Sequence, residues 1–453
     1  MSISNNVDVK AWIDSRPITG YQWLVVAAGL LIIMFDGYDT AIMGFIVPEL
    51  LAKWGLSRAE IGPVLGCAMF GVALGALITG PLADRYGRKR LLLLSVAVFA
   101  LFSMLSAFSS SPQELALMRF ITGLGLGAAM PNCVTLIAEY IPARRQGVMI
   151  TLMYSGFSIG SGIAGFIAAW MIPAWGWESV LIFGGIVPLA LLPLLLWFLP
   201  ESPMFMVARH FPSEKIAATL QRMGGTFSAQ TQFFLMNPVV EKSSRVKQLF
   251  TPSYAWGTVV LWLTYFMGLF VIYMLNGWLP TVLRDGGINL QHAAIITGVF
   301  QLGGIGGGII VGSLMDRMSR KKVIGAFYLL GSLSLLTLGM FNFSPLMLGL
   351  FVFISGVCIN GAQTGMQAFA PAFYPTGIRA TGVSWMHGIG RTGAILSTTT
   401  GGLLIGLFAG PGAIFYILAL PALLAMLAVI NHRDGRAQTV SGSDFVAATR
   451  EMK

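Results

Sequence analysis

Gly80-Pro81-Leu82-Ala83-Asp84-Arg85-Tyr86-Gly87-Arg88-Lys89-Arg90 and Gly312-Ser313-Leu314-Met315-Asp316-Arg317-Met318-Ser319-Arg320-Lys321-Lys322 are one loop written twice. Gly80, Asp84, Arg85 and Arg88 recur without a gap as Gly312, Asp316, Arg317 and Arg320. Each copy lies between two long apolar runs. A Gly-x-x-x-Asp-Arg-x-x-Arg loop repeated in this setting predicts two similar membrane-embedded halves.

Composition supports that setting. The 453 residues are 56% hydrophobic and only 10% charged, whereas a soluble chain carries about 25% charged residues. So few charges cannot cover a water-facing surface, and most of the chain is expected to face lipid. The net charge of +10 does not indicate nucleic acid, because the basic residues sit in short loops between apolar runs. Cys67, Cys133 and Cys358 fall inside apolar segments and read as small packing residues, with no disulfide or metal set. The first twenty residues lack the apolar core and cleavage site of a signal peptide, so the first hydrophobic run is expected to stay in the membrane.

A bilayer crossing needs roughly 20 apolar residues. The hydropathy pattern predicts an all-α, polytopic protein with twelve spans. The first six are residues 21–48, 59–82, 90–109, 113–137, 148–171 and 178–199. The last six are 254–281, 289–314, 322–341, 345–370, 379–405 and 411–431. Residues 1–199 and 253–453 are then two pseudo-symmetric six-helix bundles, the second with a short tail, joined by a polar linker over 200–252. The basic residues set the orientation. With both termini in the cytoplasm, all but five of the 28 Lys and Arg fall on the inner side. Lys53, Arg58 and Arg284 fall outside, and Arg119 and Arg391 fall within spans. The inner set includes Lys242 and Arg245 of the linker and Arg433, Arg436, Arg450 and Lys453 of the tail.

Ionisable groups at bilayer depth mark function. At about 1.5 Å per residue, Asp36, Asp39, Arg119 and Arg391 come out about 18–24 Å above the inner face of a ~30 Å core. Asp36 and Asp39, three residues apart, share a helix face. Two close carboxylates in a low-dielectric site resist double ionisation, which suits a proton carrier. Arg119 can hold one acid ionised in one state and release it in another; the blander alternative is a static Asp36–Arg119 ion pair that fixes helix packing. The planar fork of Arg391 suits a carboxylate. His387 lies one turn below it, as a substrate contact or a simply hydrogen-bonded histidine. Tyr154, Tyr265, Phe266 and Trp385 can stack on a flat ring or serve only as packing, and Asn276, Gln301, Asn360, Gln363 and Gln367 can line a cavity or bridge helices. Glu139, at the inner face, joins Asp84, Arg85, Arg88, Asp316, Arg317, Arg320 and Arg379 as candidates for a cytoplasmic gate. The repeated loop reads as a latch that closes the inner face, or as a positive-inside anchor. The glycines at 71, 75, 123, 125, 127 and 303–308 favour close helix crossings. No phosphate-cradling Gly-x-x-x-x-Gly-Lys-Ser/Thr loop occurs, so no ATP-driven engine is expected.

These loops, the Arg119-x-x-x-Gly123-x-Gly125-x-Gly127 motif and Pro200-Glu201-Ser202-Pro203 resemble signatures of the major facilitator superfamily. Asp36-Gly37-Tyr38-Asp39-Thr40, Leu124 to Asn132, Leu261 to Gly268, Asn360-Gly361-Ala362-Gln363 and Arg379 to Met386 resemble those of its aromatic acid:proton symporter family. The resemblance implies import of an aromatic carboxylate of the 4-hydroxybenzoate or protocatechuate type with protons across the bacterial inner membrane. No nucleophile, base and orienter set appears, which disfavours an enzyme; no cofactor is expected, and this fold can work as a monomer. The resemblance also implies roles for Asp36, Asp39, Arg119, Glu139, Arg379 and Arg391. Alternatives are a proton-coupled exporter of drugs or metabolites, a sugar symporter or uniporter, and a membrane sensor. The absence of proline from Gly156-x-x-x-Gly160-Ser161-Gly162 speaks against export, and the short linker and tail speak against a sensor.

Overall fold

The computed structural model describes residues 6–228, 230–236, 246–340, 343–374, 376–408, 410 and 412–432. Lys242, Arg245, Arg433, Arg436, Arg450 and Lys453 lie outside the described residues. Among those described, a long helix occupies every expected span. The first bundle consists of α2 (Gly20–Trp54), α3 (Arg58–Tyr86), α4 (Arg88–Ser106), α5 (Pro112–Tyr140), α6 (Ala143–Trp175) and α7 (Glu178–Phe198). It is preceded by strand β1 (Asn6–Asp8) and the short α1 (Val9–Asp14). The second bundle consists of α11 (Ala255–Asp285), α12 (Leu290–Met315), α13 (Arg320–Gly339), α14 (Pro345–Phe373), α15 (Thr376–Leu407) and α16 (Ala413–Ile430). Between them lie α8 (Pro203–Ala208), α9 (Ser213–Gln221), β2 (Gln232–Phe234) and α10 (Val246–Leu249).

Several helices outrun their apolar cores, because helical hydrogen bonding continues past the hydrocarbon into the headgroup layer. Their starts are built into the sequence. Ser57 and Glu60 form a reciprocal capping box on α3, and Ser111 and Ser344 cap α5 and α14, each followed by proline at the first helical position. Eleven of the helices are long and apolar enough to cross a membrane. The other, α15, has 32 residues, ample length at about 1.5 Å per residue. It carries Arg379, His387, Arg391 and Thr398 to Thr400 and is correspondingly less apolar.

The two bundles repeat each other's packing. In the first, α3 lies on α5, α2 on α6 and α4 on α7; in the second, α12 lies on α14, α11 on α15 and α13 on α16. The expected glycine crossings are present. Gly123 and Gly127 of α5 abut the backbone of α3, and Gly303 and Gly307 of α12 abut that of α14, so closely that a Cβ would collide. The bundles meet through α6–α12, α3–α15 and α2–α11. The amino-terminal strand and the linker are tied to the first bundle. β1 pairs in parallel with β2, Asn6 opposite Gln232 and Asp8 opposite Phe234. The Asp14 carboxylate accepts from the Ala143 amide at 2.9 Å, and Arg16 donates to the Gly224 carbonyl at 2.8 Å.

Candidate functional site

Asp36 and Asp39 lie near the middle of α2, only 5% and 3% exposed. Gly37 between them allows this. Any side chain there would collide with the Phe157 carbonyl of α6, and Ser161 of α6 donates to the Gly37 carbonyl at 2.8 Å. The α2–α6 contact is thus nearly backbone to backbone, which fixes the directions of both acids. Asp39 turns toward α4 and α5. Arg119, fully buried, places Nη1 and Nη2 at 3.3 and 3.2 Å from Asp39 Oδ1, and Nη2 at 3.2 Å from Oδ2. Ser103 also donates to Oδ1. The ion pair considered from sequence, Asp36–Arg119, is therefore replaced by Asp39–Arg119. Three residues advance the helix by about 300°, leaving the two acids some 60° apart, enough for them to face different neighbours. Asp36 accepts from Thr40 at 3.4 Å, and the cation within its electrostatic reach is Arg391 of the second bundle.

Arg391 is half-buried, and among the described residues its guanidinium has no ion-pair or hydrogen-bond partner. Three phenols, Tyr154 of α6 and Tyr265 and Tyr273 of α11, lie within its electrostatic range, as does His387. The Tyr265 hydroxyl is 2.9 Å from His387 Nδ1, with the rings edge-on at 5.0 Å. Behind them Tyr328 donates to Gln363 Oε1 at 2.7 Å, and Gln363 Nε2 donates to the Tyr265 carbonyl at 3.4 Å. His387 is thus hydrogen-bonded to Tyr265 and lies within the electrostatic range of Arg391. Phe266 stacks on Phe270 at 6.5 Å. Trp385 stacks on Trp262 at 5.8 Å, two residues from His387 and so on another side of α15. Tyr273 was not singled out from the sequence; the only signal was a tyrosine in an apolar span two turns beyond Tyr265.

The repeated loops differ. In the first copy Arg88 Nη2 lies 2.9 Å from Asp84 and 3.2 Å from Glu139. Glu201 Oε1 accepts the backbone amides of Arg88 and Lys89 at 2.9 and 3.2 Å, capping α4. Arg209 grips the Asp84 carbonyl at 2.7 Å, and Arg85 lies over the Tyr86 ring at 5.3 Å. This cluster binds α3, α4 and α5 of one bundle to the linker and does not cross between bundles. In the second copy Asp316, Arg317 and Arg320 are exposed, and their side chains form no ion pair among the described residues. Arg379 donates to the Tyr374 carbonyl at 3.3 Å.

The opposite end, which the loop charges assign to the outside, is shut. Arg58 pairs with Asp285 at 2.8 Å and Glu49 with Arg284 at 2.5 Å, both between bundles. Gly44 abuts the Asn276 carbonyl, Gly62 the Thr399 carbonyl and Gly402 the Arg58 carbonyl, each too closely for a side chain. At the end that carries the repeated loops, no ion pair or hydrogen bond joins the bundles among the described residues. Among the described residues, the ion pairs and close glycine contacts between the two halves thus gather at one end.

Two similar six-helix bundles around a central polar site, closed at one end, define a membrane transporter of the alternating-access type. The sequence profile of the Major Facilitator Superfamily matches residues 29–311 and 261–445, and the chain belongs to that family. It is 52% identical to a gallate transporter of Pseudomonas putida, over 95% of this chain and 96% of that one. It is 45% identical to a 4-hydroxybenzoate transporter of Pseudomonas aeruginosa, over 94% and 97%, and 33% identical to a benzoate transport protein of Acinetobacter baylyi, over 96% and 94%. Among solved structures, the inward-open xylose transporter of E. coli superposes with a TM-score of 0.73 at 17% identity, over 94% of this chain and 99% of that one. That likeness concerns the fold.

Proposed function

We propose that the protein imports a hydroxylated benzoate, of the gallate and 4-hydroxybenzoate class, together with protons across the bacterial inner membrane. The observation that carries this reading is Arg391: its guanidinium has no hydrogen-bond or ion-pair partner among the described residues, and Asp36, Tyr154, Tyr265, Tyr273 and His387 lie within its electrostatic range. A carboxylate meets the guanidinium fork, the ring lies among aromatic faces, and ring hydroxyls find phenol and imidazole partners. The names of the relatives support the same substrate class.

Proton coupling follows from electrostatics. Moving an anion into a negative interior costs about 2.3 kcal/mol per 100 mV, and a co-transported proton cancels that charge. Asp39, held by Arg119, and Asp36, facing Arg391, are the carriers. A protonated Asp39 loosens its hold on Arg119. A carboxylate on Arg391 removes the cation that Asp36 otherwise faces, so substrate and proton bind more readily together than apart. Residues 1–199 and 253–453 rock as units about the shared site, joined by the 200–252 linker. The present conformation, with its inter-bundle ion pairs at the end opposite the repeated loops, is the inward-facing one in this reading, with both termini cytoplasmic. Asp84, Arg88 and Glu139 hold the inner end of the first bundle rigid, while Asp316, Arg317, Arg320 and Arg379 become gate partners when that end closes. One copy of the chain contains the whole site, so a monomer suffices.

The test is uptake of labelled 4-hydroxybenzoate into proteoliposomes with and without an inward proton gradient, with gallate, benzoate and xylose as competitors. Gradient-dependent accumulation blocked by the benzoates is the expected result. Uptake that ignores the gradient, or competition by xylose alone, refutes the proposal.

A further inference from the structure

Just beneath the closed outer end lies a cavity of about 20 Å³ on the seam between the bundles. Asp39 and Thr40 of the first bundle border it, and Tyr273, Asn276 and Thr398 of the second. Its volume is that of one water molecule, which needs about 10–15 Å³ and two to four polar partners. Asn276 is 4% exposed, yet neither its Oδ1 nor its Nδ2 has a hydrogen-bond partner among the described residues. A buried amide without partners is costly, and although most of the cavity wall is apolar, with Met43, Leu65, Met69 and Leu126 in it, a water held between Asn276 and Asp39 would satisfy that amide. Across the cavity, the Asp39 carboxylate takes Ser103 and two Arg119 nitrogens. Two oxygens offer about four acceptor sites, so there is room for one more donor.

The cavity also has a position in the cycle. Its outer roof is the contact of Gly44 with the Asn276 carbonyl, a contact that must break when the outer end opens. The space next to Asp39 then joins the outer solution.

We propose that this cavity is a water site through which Asp39 receives its proton from the outside, with Asn276 as the positioning residue that orients the water from the opposite bundle. The water accepts a proton from the outer solution and passes one to Asp39, ending as it began. Arg119, Asp36 and Tyr38 are the charged or titratable groups that face Asp39 from the first bundle; the second bundle presents the uncharged Asn276 and Thr398 and the phenol Tyr273. The inference rests on the proton-coupled reading above and adds a residue and a route to it.

The experiment compares native protein, Asn276→Leu and Asn276→Ser in proteoliposomes with labelled 4-hydroxybenzoate. Two rates are read: net uptake driven by a proton gradient, and counterflow at equal pH on both faces. Counterflow moves the loaded carrier back and forth without requiring proton exchange. Asn276→Leu is expected to lose about tenfold in net uptake, the equivalent of one hydrogen bond's contribution, with counterflow within about twofold of native. Asn276→Ser, whose hydroxyl can hold the same water, is expected to recover most of the net rate. Equal net uptake in Asn276→Leu and native protein overturns the inference. So does a parallel fall of both rates in both variants, which marks Asn276 as structural only. If native protein itself ignores the gradient, the coupled reading fails and this one with it; if native couples and Asn276→Leu is unchanged, this one fails alone.

Discussion

Which aspartate holds Arg119 is decided by a double-mutant cycle. Arg119 is fully buried and Asp39 is 3% exposed, so removing either partner strands a charge in low dielectric. Breaking such a pair costs about 3–5 kcal/mol. Removing both leaves no net charge behind, and the double variant is expected to recover much of that loss. Between Asp39→Asn and Arg119→Gln the coupling energy should exceed about 2 kcal/mol, toward the upper end of what contacting residues show. Asp36→Asn and Arg119→Gln share no hydrogen bond and couple only through Asp39, so their interaction energy should be smaller, below about 1 kcal/mol. The assay is thermal unfolding of detergent-purified protein followed by aggregation-sensitive chromatography, with the four corners of each cycle measured under one heating protocol. Transport is expected to fall in every variant, so stability is the readout that discriminates. A larger coupling for Asp36 than for Asp39, or additivity in both cycles, would falsify the pairing.

Arg391→Gln removes the carboxylate fork and should reduce kcat/KM for 4-hydroxybenzoate about 10²-fold or more, the scale of losing a charge-assisted bidentate contact of about 3 kcal/mol; competition assays check that the loss is in substrate binding. Gly37→Ala drives a methyl into the Phe157 carbonyl and should lower the yield of folded protein, read as the monodisperse fraction after extraction. Removing Asp285 and Arg284 together abolishes both outer ion pairs. These are partly exposed, worth about 0.2–1 kcal/mol each, so the outward-facing population should rise roughly two- to thirtyfold, read by thiol labelling at Thr398→Cys, a site buried beneath the closure, in a cysteine-free background. Glu201→Ala uncaps α4 and should cost about 1 kcal/mol, seen as a lower unfolding temperature.

Much of the fold was legible because lipid imposes a simple rule: apolar runs long enough to cross, with bases on one side. The depth of Asp36, Asp39, Arg119 and Arg391 followed from counting residues along straight helices. What counting cannot supply is azimuth. Asp36 and Asp39 share a face, and only the presence of α4 and α5 on one side and α15 on the other assigns Arg119 to Asp39 and Arg391 to Asp36. For the same reason Trp385 and His387, close in sequence, end beside different neighbours. The repeated loop gave no sign that its two copies would differ. That difference arises because Glu139 and Glu201 are supplied to the first copy alone. Nor did sequence indicate which end would be shut, since the two states of such a protein share one set of residues.

The outer closure is made largely of glycines set against carbonyls, with two ion pairs at its rim. At these glycines the helices meet backbone to backbone, while the Thr399 and Leu302 side chains reach across to Gly66 and Gly162. Parting the halves withdraws those few side chains and otherwise separates close-set backbones. The timing of the cycle is then left to the charges on Asp36, Asp39 and Arg391, and the seam follows them.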